Sequence, residues 1–372
     1  MAELFKNLYS KQFFEVLTEA LEVVLEGFNI TQFLAEVYNS DWGELELKQR
    51  MQHISHVLTA YLSDDYPQSI DQILQIIDTL KANGVAERVR YPDLVFMFLP
   101  HYIETHGLND FKTSVEAMKN ITPFTTCEFA IRPFIIKFGD TMLSELLSWT
   151  SDKNHHVRRL ASEGCRSRLP WGIAIRDFKY DPSPIFPILE ALKSDTSEYV
   201  RKSVANNLND ISKDNPEITI GIAKRWKGQS KETDWVVKHA SRTLLKAGNQ
   251  EMMQLFGFGS IDDIEIKNFG LATDIIHVGE ALKFSFDLYN CSNNDKLIRL
   301  EYAIYFLKKN STHTKKVFKI SERNYVANSR TTITRHQSFK VVSSRKFHMG
   351  EHIISLIING VEVDESSFEL KV

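Results

Sequence analysis

Residues 149–172 read WTSDKNHHVRRLASEGCRSRLPWG. Val157, Leu160, Ala161 and Gly164 fall at i, i+3, i+4 and i+7, which draws one apolar stripe along a helix, while Arg158, Arg159 and Arg166 are left to point elsewhere. The phrase VRRLASEG (157–164) returns as VRKSVANN (200–207) and VVKHASRT (236–243), at spacings of 43 and 36 residues. Each copy follows a polar turn: SDKNHH, SDTSEY and SKETDW. Such a period is that of helical-hairpin solenoids of the HEAT type, in which each repeat buries its face only against its neighbours.

Upstream of these copies the pattern stays helical. Apolar residues recur at helical spacing over residues 3–26, with Phe13, Phe14, Leu17 and Leu21 on the stripe and Gly27 as a stop. Further amphipathic helices are expected at about 31–39, 43–62 and 67–83, the last opening with Pro67. Downstream of Gly257-Phe258-Gly259 the period changes to two. DIEIKNF, LKFSFDLYN, LIRLEYAIYFLKK, KKVFKISE, RTTITRHQSFKVV, HIISLIING and SSFELKV alternate apolar and polar residues between Asn, Ser, Gly and Asp clusters. About seven strands in about 110 residues predict an antiparallel β-sandwich of immunoglobulin type, though without its cysteine and tryptophan hallmarks. The expected fold is thus mainly α with a β domain: a HEAT-like helical-repeat solenoid over residues 1–259, then an immunoglobulin-like β-sandwich over 260–372.

With 372 residues and 43% apolar content, the chain is long enough for two domains with sizeable cores. Its longest apolar runs, such as Leu94–Pro100, fall far short of a membrane span, and MAELFKNLYS lacks the apolar core of a signal peptide, so a cytoplasmic location is expected. Cys127, Cys165 and Cys291 are widely separated and odd in number, which offers neither a disulfide framework nor a CxxC metal site; no metal or cofactor is expected. Charge is unevenly spread. Residues 1–120 carry 9 Lys+Arg against 18 Asp+Glu, residues 121–260 carry 20 against 16, and residues 261–372 carry 16 against 14. A basic middle joined to an acidic first third is either an attraction for a polyanion or a set of solvated helix faces.

Three places in the middle third draw attention as chemistry. In ITPFTTCEFAIRPFIIKFGD (121–140), Thr125 or Thr126 is placed to cap a helix, with Glu128 in its first turn and Arg132 at i+4 on the same face. That arrangement holds a carboxylate beside a cation, or merely satisfies the helix dipole. Trp171 follows a helix in a turn shaped by Pro170 and Gly172, so its indole is expected to project from the solenoid, where an arginine-flanked aromatic suits a nucleic acid. In VRKSVANNLNDISKDNPE (200–217), Asn206, Asn207, Asn209 and Asp210 are unusually polar for the end of a packed helix. Asp210 either ends that helix, caps the next one, or serves a reaction.

The segments TTCEFAIRPFIIKFGD (125–140), 149–172 and SEYVRKSVANNLNDISKDNPE (197–217) resemble the DNA alkylation-repair glycosylases of the AlkC branch, relatives of AlkD, and the resemblance extends over roughly residues 1–260. It implies HEAT-like repeats, a C-terminal module that AlkD lacks, and hydrolysis of the N-glycosidic bond of positively charged N-alkylated bases. The bases implied are 3-methyladenine foremost, with 3-methylcytosine and 7-methylguanine as further candidates, and the lesion need not flip fully out of the duplex. Matching motifs carry the family's acids and aromatic onto Glu128, Asp210 and Trp171. Asp210 would stabilise an oxocarbenium-like sugar and activate water, Glu128 would supply a second carboxylate, and Trp171 would pack on sugar or base. Arg158, Arg159, Arg166, Arg168, Arg201 and Lys202 would hold phosphates or pair between repeats. Lys308, Lys309, Lys315 and Lys316, which border the NST turn (310–312), would contact DNA or protect a sheet edge. The implied partner is double-stranded DNA bearing alkylated bases, met by a monomer in the bacterial cytoplasm at the nucleoid. A catalytically silent helical-repeat DNA- or protein-binding scaffold is the alternative.

Overall fold

Each copy of the repeated phrase forms the second helix of a hairpin in the computed structural model, which describes residues 4–341 and 346–372. Asp140–Trp149 precedes His155–Gly164, Phe186–Leu192 precedes Glu198–Ile211, and Pro216–Trp226 precedes Lys231–Ala240. Asn154 starts the first of these second helices by accepting the His156 amide at 2.8 Å, as an N-cap should. Val157, Leu160 and Ala161 are buried, as are Val200, Val204, Ala205 and Leu208, so the stripe read from the sequence is the packed face. His155–Gly164 packs on Glu198–Ile211, which packs on Lys231–Ala240. Small polar residues hydrogen-bond across this interface: Ser162 Oγ lies 2.7 Å from Ser203 Oγ, and Asn207 Nδ2 donates to the Ser162 carbonyl at 2.9 Å.

The arginine after the repeat valine plays the same part in two copies. Arg158 Nη1 donates to the carbonyls of Asp152 and Lys153, six and five residues back, and Arg201 Nη1 donates to those of Asp195 and Thr196, at the same offsets. Each pins the turn that launches its own helix.

The N-terminal helices fall near their expected places, with one break. The helix expected over 3–26 divides into a 3-10 turn at Phe5–Leu8 and an α-helix at Lys11–Val24, because Ser10 accepts the Phe13 amide and caps a fresh start. Helices follow at Ile30–Val37, Leu47–Thr59 and Tyr66–Ala82, the last capped by Asp65 with Pro67 in its first turn. Glu3 and Val342, which fell inside expected elements, lie outside the described residues. Among the described residues no helix is long and apolar enough to cross a membrane.

Eight strands are described beyond the helices: β1 Ile264–Leu271, β2 Ile275–His277, β3 Ala281–Asn290, β4 Lys296–Leu307, β5 His313–Tyr325, β6 Ser329–Ser338, β7 Gly350–Ile358 and β8 Val361–Lys371. They form a three-stranded sheet, β1-β3-β6, and a five-stranded sheet, β2-β8-β7-β4-β5. Pairing is antiparallel except between β2 and β8, a three-residue contact that the alternation pattern was too short to reveal. Leu282, Phe284, Phe286 and Leu288 project every second residue into the core to meet Leu300, Tyr302 and Ile304.

The chain divides into two compact units, residues 1–219 with 225–240 and residues 220–224 with 241–372. The boundary expected at 259/260 therefore falls inside the second unit, although the change from helix to strand does lie there. Gly248 and Gly360, both at positive φ, meet so closely that a Cβ on Gly248 would lie 2.5 Å from the Gly360 carbonyl oxygen. Asn359 Nδ2 also donates to the Gly259 carbonyl at 3.0 Å. Glycine is required at this contact, which ties residues 241–259 to the β7–β8 turn.

Candidate functional site

Glu128 sits in a helical turn ahead of the regular helix Ile131–Phe138. Thr126 Oγ1 accepts its amide at 3.3 Å and lies 3.0 Å from its Oε2, so the threonine orients both ends of the residue. The cation beside Glu128 is Arg159 from the following hairpin, with Nη1 at 2.6 Å from Oε2. It is not Arg132, which the i+4 spacing placed there. Arg132 turns inward, is fully buried, and donates to the carbonyls of Gly164 at 2.8 Å and Ile173 at 2.5 Å. Burial brings its guanidinium down to about 10, still protonated at neutral pH.

From Glu128 a line of alternating charges runs between repeats. Arg159 Nη2 is 3.4 Å from Glu163 Oε1, Arg166 Nη1 is 2.5 Å from the same oxygen, Arg166 Nη2 is 2.6 Å from Asp210 Oδ2, and Lys213 Nζ is 2.9 Å from Asp210 Oδ1. Burial works against the charges of Arg159 and Arg166, but the carboxylates of Glu128, Glu163 and Asp210 outweigh it and raise both guanidinium groups above the ordinary arginine value. Asp210 itself is only 2% exposed and lies in the last turn of Glu198–Ile211, where the helix dipole disfavours an anion. Its two oxygens meet Arg166 and Lys213, which offset that cost. Neither oxygen is used to cap a following helix.

The other end of this line opens into a cavity of about 230 Å³. Asp93, Glu128, Phe129, Arg159, Trp171 and Tyr199 are among its walls, while Asp210 lies outside it. Trp171 is 57% exposed and holds φ of +65°, a conformation bulky residues rarely adopt. Its backbone is clamped on three sides. Lys48 Nζ bonds its carbonyl at 2.7 Å, the Gly172 amide bonds the Leu169 carbonyl, and Arg132 holds the carbonyl of Ile173. Clamping of this kind lets a strained side chain persist at a surface. The Arg159 guanidinium stacks 5.1 Å from the Tyr199 ring, and His155 and His156 meet that ring edge-on.

The remaining arginines that were candidates for phosphate contact are engaged inside the protein. Arg158 forms a two-pronged pair with Asp195, at 2.6 and 2.9 Å, besides pinning its turn. Arg166 belongs to the ion line, and Arg201 pins a turn and lies 5.9 Å over the Trp235 ring. Arg168 pairs with Asp214 yet keeps 40% of its side chain exposed. Lys202 is exposed. In the second unit Lys308 and Lys309 are exposed beside the turn, Lys315 pairs with Glu362, and Lys316 lies 5.4 Å from the Phe318 ring. Among the described residues no group of three or more His, Cys, Asp or Glu is placed to hold a metal ion.

Sequence reasoning passed over Tyr199, Glu163 and Asp93. The first had a signal, since the residue before each repeat valine is a ring: His156, Tyr199 and Trp235. Glu163 stands at i+4 from Arg159 and i−3 from Arg166, a spacing that also could have been read. Asp93 had none, because a surface acid after a proline is too common to single out.

The sequence profile of the DNA alkylation repair enzyme family matches residues 51–244, and that of the YhaZ C-terminal Ig-like domain matches residues 265–372. The chain belongs to the DNA alkylation repair enzyme family. Within this family it is 41% identical over 371 residues to YhaZ of Bacillus subtilis (strain 168), with all of both chains covered. Its structure superposes with a TM-score of 0.92, at 33% identity and full coverage of both chains, on the alkylpurine DNA glycosylase AlkC of Pseudomonas fluorescens bound to DNA containing an abasic site analog. This repair enzyme is thus of the AlkC type, a HEAT-like solenoid followed by an immunoglobulin-like domain.

Proposed function

We propose that the chain is a monofunctional DNA glycosylase that removes positively charged N-alkylated bases from duplex DNA, 3-methyladenine foremost, and does so without drawing the lesion fully out of the helix. The observation that carries this reading is the ion line that joins Glu128 and Asp210, with Trp171 and Tyr199 beside its open end. Alkylation makes the base a good leaving group, so no general acid is needed. What the reaction lacks is stabilisation of a developing oxocarbenium-like sugar and a positioned water, and a fixed carboxylate supplies both. Asp210 takes that role. Arg166 and Lys213 each hold one of its oxygens and keep it aimed, and Glu128 with Asp93 gives the cavity wall a negative character that favours a cationic base over a neutral one. The two exposed rings add a face on which a cationic base or its sugar can stack.

Phosphate contacts then fall to exposed cations such as Arg168 and Lys202, because Arg158, Arg166 and Arg201 are bonded within the solenoid. The likeness to an AlkC bound to DNA containing an abasic site analog supports DNA as the partner here. Incubating the intact protein with methylated duplex DNA and identifying the released bases by chromatography tests the proposal. Release of 3-methyladenine without strand cleavage is expected, and runs with 3-methylcytosine and 7-methylguanine define the spectrum. Tight binding with no released base would make the protein a scaffold.

A further inference from the structure

The immunoglobulin-like domain holds a cavity of its own, of about 290 Å³, near the small end of the roughly 300–1,000 Å³ range of ligand pockets. Its origin lies in the mismatch between the sheets. Five strands face three, and β5 is an edge of the larger sheet, so the inner face of its first residues is left uncovered. Thr314 and Lys316 pair with Phe306 and Ile304 of β4 and share their face, which puts a lysine where the sandwich interior opens to solvent. Phe306 and Phe347, with ring centroids 6.2 Å apart, give the cavity an aromatic floor, and Lys308, Lys315, Lys316 and Lys346 line it as well. A neighbouring hollow shares Lys315 and Lys316 and adds Lys246, so the basic surface continues beyond the cavity.

His352 belongs to the same wall. Its ring is fully buried among Phe306, Phe339 and Phe368, and its Nδ1 lies 3.0 Å from the Gly350 carbonyl. A carbonyl only accepts, so Nδ1 carries the proton and Nε2 of the neutral ring presents a lone pair. That Nε2 is buried without a hydrogen-bond partner. An N–H donor is what it lacks.

We propose that this cavity takes one unpaired nucleotide of a nucleic acid strand, with the base against Phe306 and Phe347 and the flanking phosphates on the lysines of the two hollows. Inorganic phosphate would use the lysines and leave the aromatic floor unused. An apolar ligand would use the aromatic floor and leave the lysines around it unused. A mononucleotide would fill the cavity yet leave the second hollow empty, so a strand fits both observations. The exocyclic amino group of adenine or cytosine is the donor that His352 calls for. This site lies wholly in the β-domain and does not depend on base excision at Glu128 and Asp210.

The test uses the intact protein and calorimetric titration at low salt with tetradeoxyadenylate, dAMP and inorganic phosphate. The tetranucleotide should bind tightest, dAMP more weakly and phosphate weakest. Phe347→Ala should weaken the tetranucleotide by roughly five- to a hundredfold through lost stacking. Lys346→Glu, an exposed change with little bearing on folding, should weaken it and flatten its salt dependence by about 0.7 in log-log slope. A tetranucleotide of purine bases without the amino group should bind roughly three- to tenfold more weakly. Asp210→Asn should leave these affinities unchanged, so this proposal and the excision proposal fail separately. Affinities in Phe347→Ala and Lys346→Glu equal to those of the unaltered protein would overturn it, as would phosphate binding as tightly as the tetranucleotide, or dAMP binding as tightly, which would make the cavity a free-nucleotide site.

Discussion

Asp210 and Trp171 show two ways of maintaining an unfavourable state. A carboxylate at the negative end of a helix persists because Arg166 and Lys213 each take one of its oxygens. Asp210→Asn keeps the shape and loses the charge. Its single-turnover excision rate is expected to fall by about 10²- to 10³-fold, with DNA affinity within about threefold of the unaltered protein in a gel-shift titration. Near-normal rates would remove Asp210 from the mechanism. Trp171, by contrast, carries backbone strain, since its φ of +65° is glycine territory. The left-handed conformation disfavours a residue with a Cβ by about 1–2 kcal/mol, so Trp171→Gly should be about 1 kcal/mol more stable than Trp171→Ala in thermal unfolding, while both excise slowly. Equal stabilities would show that the turn carries no strain.

Between residues and whole molecule, the repeat junctions show how one element shapes another. Arg132 on Ile131–Phe138 bonds the carbonyls of Gly164, at the end of the next repeat helix, and Ile173, just past the tryptophan. Arg132→Met leaves the buried Gly164 carbonyl without this donor, which costs about 1–3 kcal/mol, and releases the carbonyl of the more exposed Ile173. A lower unfolding temperature and a slower excision rate are expected together, because the same bonds clamp the Trp171 turn. Loss of stability with no change in rate would separate the clamp from the chemistry. The junction between the first two copies is also acid-sensitive. Burial works against the Asp195 charge, but hydrogen bonds from Arg158 and the Ser197 amide outweigh it and hold the carboxyl below its ordinary value. The unfolded chain therefore takes up this proton first as the pH falls. The stabilisation is fully present above the unfolded value of about 3.9 and is lost as the pH falls through the folded one. Asp195→Asn should lower the unfolding temperature at pH 7 and flatten its decline below about pH 4, as followed by circular dichroism.

For the molecule as a whole, charge distribution matters more than the net of −3. Lys308, Lys309, Lys315 and Lys316 stand about one short turn of the β-domain, and three of them, Lys308, Lys315 and Lys316, line the cavity described above. If they meet a DNA backbone, changing all four to glutamate should weaken duplex binding and reduce its dependence on salt, by about 0.9 in log-log slope for each lost phosphate contact. Catalysis in single-turnover experiments at saturating protein should change far less. An unaltered slope would assign these lysines to edge protection alone.

Local pattern was enough for the elements: the return of VRRLASEG at 43 and 36 residues, the switch to period two after Gly259, and the Pro-Trp-Gly turn are all properties of short stretches, and they determined the hairpins, the strands and the exposure of Trp171. Partner choice was another matter. Glu128 pairs with Arg159, 31 residues away, in place of Arg132 four residues away. Arg158 and Arg201 bond their own turns, and the break between compact units falls near 240 because Gly248 meets Gly360. Spacing along a helix states only which residues share a face. Which of several equivalent arginines reaches a given carboxylate depends on how neighbouring repeats stack, and that is decided by packing between segments distant in the chain.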